Sequence, residues 1–353
     1  MTLPTEPIGS IPRPRALIDG MQAVADGRIA AEGLGALYDD AVRDTLRRFE
    51  GTGSPVVTDG EQRKSSFATY PVDGLPGLAP GGVPIPFADG HSRQLPLVTA
   101  GPFRYTTPAW TYLDAARRET SAPMKQAVIS ASAISLMYPP DGIAGYPREA
   151  FLDDLVAQAA AEMRGCLERG ATVQIDFTEA RLSLKLDPSG GLLGAFVDLN
   201  NRVLGELTDD ERSRVGVHTC PGGDQDSTHS ADVDYAALLP TLFRLDVDRF
   251  FIQLASEPDR ARVLEILGRH ATGSRRLFVG VTDPLDPRVE SPEEVAGRVV
   301  EAAQAIDPSH LGTTDDCGFS PFGDDVSTSR DTAFAKIAAR VTGTAMAYQT
   351  LGV

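Results

Sequence analysis

The sequence is poor in several residue types, and each shortage excludes a class of protein. Three cysteines among 353 residues are too few for a disulfide framework. Basic side chains number 33 against 49 acidic ones, and the formal net charge of -16 repels nucleic-acid backbones and anionic membrane surfaces. No apolar run approaches the roughly 18 residues of a membrane-spanning helix. We therefore expect no nucleic-acid partner and no membrane partner.

The N-terminus also lacks the features of a secretory signal. Residues 1–6 (MTLPTE) contain neither a basic start nor an apolar core. The chain is 42% hydrophobic and 23% charged, without a low-complexity tract, so it can bury a large core. These features predict a folded cytoplasmic protein. No repeat or linker divides the sequence, and we expect residues 1–353 to form one domain.

Short β-branched runs alternate with amphipathic stretches of helical spacing. The predicted strands are residues 56–58, 97–99, 126–129, 172–175, 215–217, 250–252, 277–281 and 311–313. Helical spacing occurs at residues 151–169, 235–242, 259–267, 292–306 and 331–341. This α/β alternation favours a (β/α)₈ TIM barrel, with a doubly wound open sheet as the competing arrangement. Residues 65–120, rich in Pro and Gly, are too long for one loop and predict an excursion over the barrel mouth after the first strand.

Polar residues follow most of the predicted strands. They are Glu61, Asp176, His218, Cys220, Gln253, Asp283, Asp315, Asp316 and Cys317. Each of them can also be read as a loop cap. In a TIM barrel, however, the carboxyl ends of the strands meet at one mouth, where the chemistry is carried out. The pattern therefore predicts a functional site at that mouth.

His218-Thr219-Cys220 and the distant Cys317 indicate a metal site. In an extended segment, residues two apart point to the same side, so His218 and Cys220 can reach one ion. Imidazole and thiolate are ligands that zinc prefers. A buried free cysteine is also a common apolar core residue, so the spacing alone leaves both interpretations open. Cys166 lies in a helical pattern and is expected to be a core thiol.

The sequence resembles the C-terminal catalytic barrel of cobalamin-independent methionine synthase at five motifs in the same order. These are residues 5–13 (TEPIGSIPR), 59–63 (DGEQR), 174–176 (QID), 218–220 (HTC) and 316–318 (DCG). The resemblance implies a (β/α)₈ barrel, a zinc cofactor and methyl transfer to homocysteine. It implies His218, Cys220 and Cys317 as zinc ligands. It also implies a short, single-domain form without the N-terminal barrel of the long synthases.

The same resemblance implies where the acceptor thiol binds. Its amino-acid part would be held by Ile8, Gly9, Ser10, Glu61 and Asp176. Glu61 and Asp176 would hold the ammonium by charge-assisted hydrogen bonds, and backbone amides near Gly9 and Ser10 would hold the carboxylate. Zinc would keep the substrate sulfur as a thiolate at neutral pH.

Two positions around the site depart from the family pattern. The sixth strand carries Gln253 where the family has a glutamate ligand, so we expect Gln253, or Glu257 one helical turn later, in the fourth place on zinc. The segment after the seventh strand lacks the histidine that donates a proton in the family. Asp283 or Asp286, with a raised pKa, is expected to act as the acid instead.

A third departure concerns the methyl donor. Residues 137–138 (MY) stand where the family stacks the folate ring on a tryptophan, and Trp110 is the only tryptophan. A methylated corrinoid or a small methyl compound is therefore an alternative to folate. Two other functions stay open: a structural zinc in a binding protein, and an epoxyalkane:coenzyme M transferase that opens an epoxide with a zinc-bound thiolate. The cations available for the sulfonate of coenzyme M are Arg13, Arg63, Lys64 and Arg93.

Overall fold

The computed structural model describes residues 3–352, and its fold is mixed α/β. The strands are β1 (Leu78–Ala79), β2 (Pro84–Pro86), β3 (Ser92–Gln94), β4 (Leu97–Val98), β5 (Lys125–Ile129), β6 (Thr172–Asp176), β7 (Val215–Thr219), β8 (Gly223–Asp224), β9 (Ser227–Thr228), β10 (Arg249–Ile252), β11 (Arg276–Thr282) and β12 (Leu311–Asp315). The helices are α1 (Arg15–Ala25), α2 (Leu34–Gly51), α3 (Trp110–Ala116), α4 (Ala131–Ser135), α5 (Arg148–Glu168), α6 (Glu179–Leu186), α7 (Gly191–Gly205), α8 (Asp209–Ser213), α9 (Tyr235–Leu242), α10 (Arg260–His270), α11 (Pro292–Ala302) and α12 (Arg330–Leu351).

Six strands form one parallel sheet in the order β12-β11-β10-β7-β6-β5. Every residue of β5, β7 and β12 is buried, as expected for parallel strands covered on both faces. Thr5 forms a parallel bridge with β12 at one edge, and Val57 forms one with the residue before β5 at the other. The hydroxyl of Thr58 donates to the carbonyl of Gly9 at 2.7 Å. This bond links the two extended segments that lie beyond the sheet edges.

Six of the predicted strands are confirmed as members of this sheet. The prediction that residues 97–99 form a strand of the barrel is wrong, because β4 pairs antiparallel with β1. A β-prone run inside the excursion finds a partner nearby and needs no crossover to reach it. The place beside β12 belongs to Thr5, for which the sequence predicted no strand, and residues 56–58 contribute only the Val57 bridge.

The five predicted helices are confirmed as α5, α9, α10, α11 and α12. Side-chain caps mark the first residues of two of these helices. Ser291 and Glu294 form a capping box before α11, and Ser329 accepts the amide hydrogen of Thr332 at the start of α12. Cys166 is buried in α5, as predicted. Over residues 3–352, none of the helices combines the length and the apolar character needed to cross a bilayer.

Arg340 of α12 is buried and ties its helix to the sheet. Its Nε donates to Asp315 at 3.0 Å and its Nη1 donates to Thr5 at 2.6 Å. Because truncation leaves a buried carboxylate uncompensated, we expect Arg340→Ala to lower the free energy of unfolding by about 3–5 kcal/mol. Urea denaturation measures this. Arg269→Ala, which removes an exposed pair with Glu265, should change it by less than about 0.5 kcal/mol, and an equally small effect for Arg340→Ala would contradict the prediction.

Candidate metal centre

His218, Cys220 and Cys317 lie together at the carboxyl ends of β7 and β12. Their ligand atoms are within 4.8 Å of one another. The two sulfur atoms are 3.1 Å apart, well beyond the roughly 2.05 Å of a disulfide, and both cysteines are free. Strand register places His218 between Asp176 on β6 and Phe251 on β10. The structure thus brings together the three residues predicted as ligands.

The imidazole of His218 is oriented for coordination. Its Nδ1 lies 3.2 Å from the carbonyl oxygen of Phe251. Because a carbonyl only accepts, Nδ1 carries the proton and donates it. The Nε2 atom is buried and has no hydrogen-bond partner within residues 3–352. A histidine held through one ring nitrogen, with the other nitrogen bare beside two sulfur atoms, fits a zinc ligand.

The two cysteine thiols differ in acidity. A hydrogen bond from the Cys220 thiol lowers the pKa of Cys317 well below its usual range, and His218 lowers it further. The same hydrogen bond and burial raise the pKa of Cys220. The amide of Gly222 donates to the Cys220 sulfur at 3.4 Å. A cation held between the sulfur atoms favours the thiolate form of both cysteines, so the electrostatics suit a metal ion.

A small pocket, here named the acceptor pocket, opens beside this cluster. It is lined by Ile8, Ser10, Glu61, Phe67, Asp176, Thr178, His218, Gly222, Gly223, Cys317, Gly318 and Pro321. Four of the five residues predicted to bind the amino-acid part of the substrate are therefore on its wall. The fifth, Gly9, lies directly behind it, where a Cβ would approach the Glu61 carboxylate oxygen to 2.9 Å. A larger residue at this position would require the Glu61 carboxylate to move.

Glu61 is held in an unusual backbone conformation. Its φ of 56° is in the left-handed region, where a residue other than glycine costs about 1–3 kcal/mol. Arg13 donates to its carbonyl at 2.8 Å, and Asp59 accepts from its amide at 2.9 Å. Burial raises the pKa of Glu61 to about 7. Lys64, 3.6 Å away, opposes this rise and the charge of Asp176 adds to it.

Asp176 is the second buried carboxylate of the acceptor pocket. Burial raises its pKa, and His218 lowers it. Gln174 donates to Asp176 at 2.8 Å and to the carbonyl of Ile8 at 3.1 Å, so one amide joins β6 to the N-terminal segment. This positioning role was not predicted. The signal for it is the two-residue spacing, which puts Gln174 and Asp176 on the same face of the strand.

Gln253 lies next to a buried arginine that the sequence did not single out. Its amide oxygen accepts from Arg181 at 2.8 Å, and its amide nitrogen donates to Ser256 at 2.8 Å. Glu257, the alternative fourth ligand, is 3.4 Å from the same guanidinium. Neither side chain lines the acceptor pocket. Their role on the metal stays a prediction.

The aspartates predicted as acids lie apart from the acceptor pocket. Burial raises the pKa of Asp283, as an acid requires, but its carboxylate does not line the pocket. Asp286 is partly exposed, 3.6 Å from Arg288. Their catalytic role also stays a prediction. Asp316, on the same rim, accepts from the amides of residues 254–256 and thereby fixes the loop after β10.

The chain is similar to known proteins over almost its whole length. The family described as "Cobalamin-independent synthase, Catalytic domain" matches residues 3–330. Methionine synthases of Sulfurisphaera tokodaii and Saccharolobus islandicus are 25% and 24% identical over 343 residues, which is 97% of this chain and 91% and 94% of the relatives. A B12-independent methionine synthase from Shewanella sp., solved with selenomethionine, superimposes with a TM-score of 0.76 at 20% identity over 99% of both chains. A putative enzyme of the same kind from Listeria monocytogenes gives 0.70 at 17% identity over 98% of both.

Proposed function

The chain belongs to the cobalamin-independent methionine synthase family, and from this membership we propose that it transfers a methyl group to homocysteine, giving methionine, with zinc as its cofactor. The observation that carries the proposal is the acceptor pocket itself. There a His-Cys-Cys cluster suited to a metal ion faces the same small space as two buried carboxylates. The cluster suits the thiol of homocysteine and the carboxylates suit its ammonium group.

We propose His218, Cys220 and Cys317 as zinc ligands, with Gln253 in the fourth place. When bound, zinc replaces the proton of the substrate thiol and keeps the sulfur a thiolate at neutral pH. A carbonyl oxygen has two lone pairs, so the hydrogen bond from Arg181 leaves one on Gln253 for the metal. An amide is a weaker zinc ligand than a carboxylate, so Gln253 would hold the ion less firmly than a glutamate would.

In the same pocket, Glu61 and Asp176 bind the ammonium of homocysteine, and the segment Ile8, Gly9 and Ser10 holds its carboxylate. The charge of Asp176 raises the pKa of Glu61, because two buried negative charges repel. An ammonium between them removes that repulsion and forms charge-assisted hydrogen bonds. The Shewanella methionine synthase of the same fold was solved in complex with selenomethionine, the selenium analogue of methionine.

We further propose that the sheet closes into a (β/α)₈ barrel with residues 3–352 as one domain around it. The bridges at Thr5 and Val57 extend the six parallel strands at both edges, and the bond from Thr58 to Gly9 joins the two extensions. These two segments take the positions of the seventh and eighth strands of an eight-stranded barrel. Residues 65–120 then cover the carboxyl end of the barrel.

The coenzyme M alternative finds no support around the site. The side chains that could hold its sulfonate are already engaged: Arg13 and Lys64 donate to backbone carbonyls, and Arg63 and Arg93 pair with carboxylates. None of these four side chains lines the acceptor pocket. The relatives are also methionine synthases.

Chelation is expected to leave a folded protein that no longer binds homocysteine and that recovers binding with added zinc. The reason is that the buried core extends through all layers of the fold, far beyond the three ligands. Circular dichroism before and after treatment with EDTA measures the fold, and titration calorimetry measures homocysteine binding. Loss of the circular dichroism signal on chelation would instead identify a structural zinc and weaken the proposal.

A further inference from the structure

A larger cavity, here named the donor cavity, adjoins the acceptor pocket. Its volume is about 350 Å³. It shares Phe67, Thr178, Gly222 and Gly223 with the acceptor pocket. A Cβ on Gly223 would lie 3.9 Å from the sulfur of Cys317, so the shared wall reaches the metal cluster. A molecule in the donor cavity would therefore lie beside a thiol in the acceptor pocket.

Four of the residues that line the donor cavity carry aromatic rings: Phe67, Phe87, His229 and Phe322. Phe67 and Phe322 meet edge to face with ring centroids 5.5 Å apart, and Phe87 and His229 do so at 5.6 Å. The faces of such rings are electron-rich and attract cations. The net gain from this attraction is largest for methylated ammonium and sulfonium groups, because these cations are weakly hydrated.

The donor cavity also contains a buried carboxylate with an unused oxygen. The Oε1 atom of Glu179 accepts from the hydroxyls of Ser130 and Ser132. Its Oε2 atom is buried and has no hydrogen-bond partner within residues 3–352. Burial raises the pKa of Glu179 to about 7, and a bound cation would lower it again. Arg93 on the same wall is paired with two carboxylates, which offset its charge, and its guanidinium lies 4.3 Å from the ring centroid of Phe322, so one face of that ring already holds a cation.

His229 is the histidine of this wall, and it is not placed to donate a proton. It is buried, and its Nδ1 has no partner within the described residues. Burial lowers the pKa of His229 to about 4, with Lys185 and Arg181 lowering it further and Asp232 opposing them. It is therefore neutral at pH 7. Asp283, one of the predicted acids, does not line the donor cavity.

We propose that the donor cavity binds a small methyl-onium compound, a quaternary methylammonium or a methylsulfonium ion, as the methyl donor. This inference rests on the proposed function and names its second substrate. The thiolate sulfur gives an electron pair to the methyl carbon, and the pair of the breaking C–N or C–S bond stays on the departing atom. The onium ion leaves as a neutral amine or sulfide. No proton is consumed, which agrees with a cavity whose histidine, His229, is neutral at pH 7. The net charge of -16 favours the approach of a cation.

Binding of choline and of its neutral isostere 3,3-dimethylbutan-1-ol tests the cavity directly. We expect the zinc-loaded protein to bind choline about tenfold more tightly than the alcohol, measured by titration calorimetry. Glu179→Gln should remove most of that difference, and Phe87→Leu should reduce it. Circular dichroism shows whether both variants are folded, and methionine binding should be retained in both. Equal binding of choline and the alcohol would overturn the inference.

Turnover distinguishes the two kinds of onium and separates this inference from the proposed function. Zinc-loaded protein with homocysteine is given trimethylsulfonium or tetramethylammonium, and methionine is measured by mass spectrometry. Methionine from either salt, reduced in Glu179→Gln, supports the inference and identifies the donor class. Methionine from methylcobalamin or methyl-tetrahydrofolate but from neither salt overturns the inference and leaves the proposed function standing. A protein that binds neither zinc nor homocysteine would overturn the proposed function itself.

Discussion

Cys220→Ala and Cys317→Ala are each expected to leave the protein with sub-stoichiometric zinc and no measurable homocysteine binding. Each substitution removes one of three converging ligand atoms, and the remaining pair cannot satisfy an ion that prefers four ligands. Loss of a residue that is hydrogen-bonded to a metal ligand already weakens metal affinity by about 10–100-fold. Loss of the ligand itself should therefore weaken metal affinity further. Mass spectrometry of the metal content after dialysis measures zinc, and calorimetry measures homocysteine binding.

The third cysteine provides a matched control for this experiment. Cys166 is also a buried free thiol, but it lies in α5 and outside the cluster. Cys166→Ala should therefore keep full zinc content and full homocysteine binding, even if it lowers stability through a small cavity. Unchanged zinc content in both Cys220→Ala and Cys317→Ala would refute the ligand assignment.

Glu61→Gln is expected to weaken methionine binding by about 10–100-fold, since a hydrogen bond to a charged group contributes about 1.5–3 kcal/mol. The substitution keeps the shape of the side chain but removes the charge that faces the substrate ammonium. Calorimetry with 4-(methylthio)butanoate, which lacks the amino group, is the matched control. It should bind the wild type and the variant equally. If the variant lost affinity for both ligands by the same factor, the ammonium assignment would be wrong.

The raised pKa of Glu61 gives this interaction a pH dependence. With a pKa of about 7, the carboxyl is mainly protonated at pH 6 and mainly ionised at pH 8. An ammonium binds the ionised form, so methionine affinity should rise as pH increases through 7 in the wild type. It should stay flat in Glu61→Gln. Methionine is the suitable ligand because it has no thiol that titrates, and a flat wild-type profile would contradict the assignment.

Much of the fold could be read from local sequence patterns. The six sheet strands occur at short apolar, β-branched runs, and the five predicted helices occur where apolar residues recur with a period of about 3.6. Both patterns are properties of a short window. Residues 97–99 show the limit of this reasoning, because a β-prone run does not state which strand it will pair with. At Thr5 the sequence predicted no strand, but the structure has a parallel bridge to β12. The segment is polar and contains proline, so it has little β character and is extended only because it lies beside β12.

The candidate site could be predicted only in part. Residues close together in the sequence could be recognised, whereas residues that meet only in the folded protein could not. His218 and Cys220 share one strand end, so their spacing carries the signal. Arg181 is buried against Gln253, 72 residues away, and nothing in its own helix indicates burial. Glu179 is similar, because its unused oxygen becomes evident only when the walls of the donor cavity are known.

By itself, the sequence determined the chemical types present at the site: one imidazole, two thiols and two carboxylates. These follow from residue identity. The tertiary structure alone decided that Nε2 of His218 is the bare nitrogen, that burial raises the pKa of Glu61 to about 7, and that the donor cavity shares Gly222 and Gly223 with the pocket at Cys317. Proton positions, pKa values and cavity walls depend on atoms from distant segments and on the exclusion of water, and a linear pattern does not specify either.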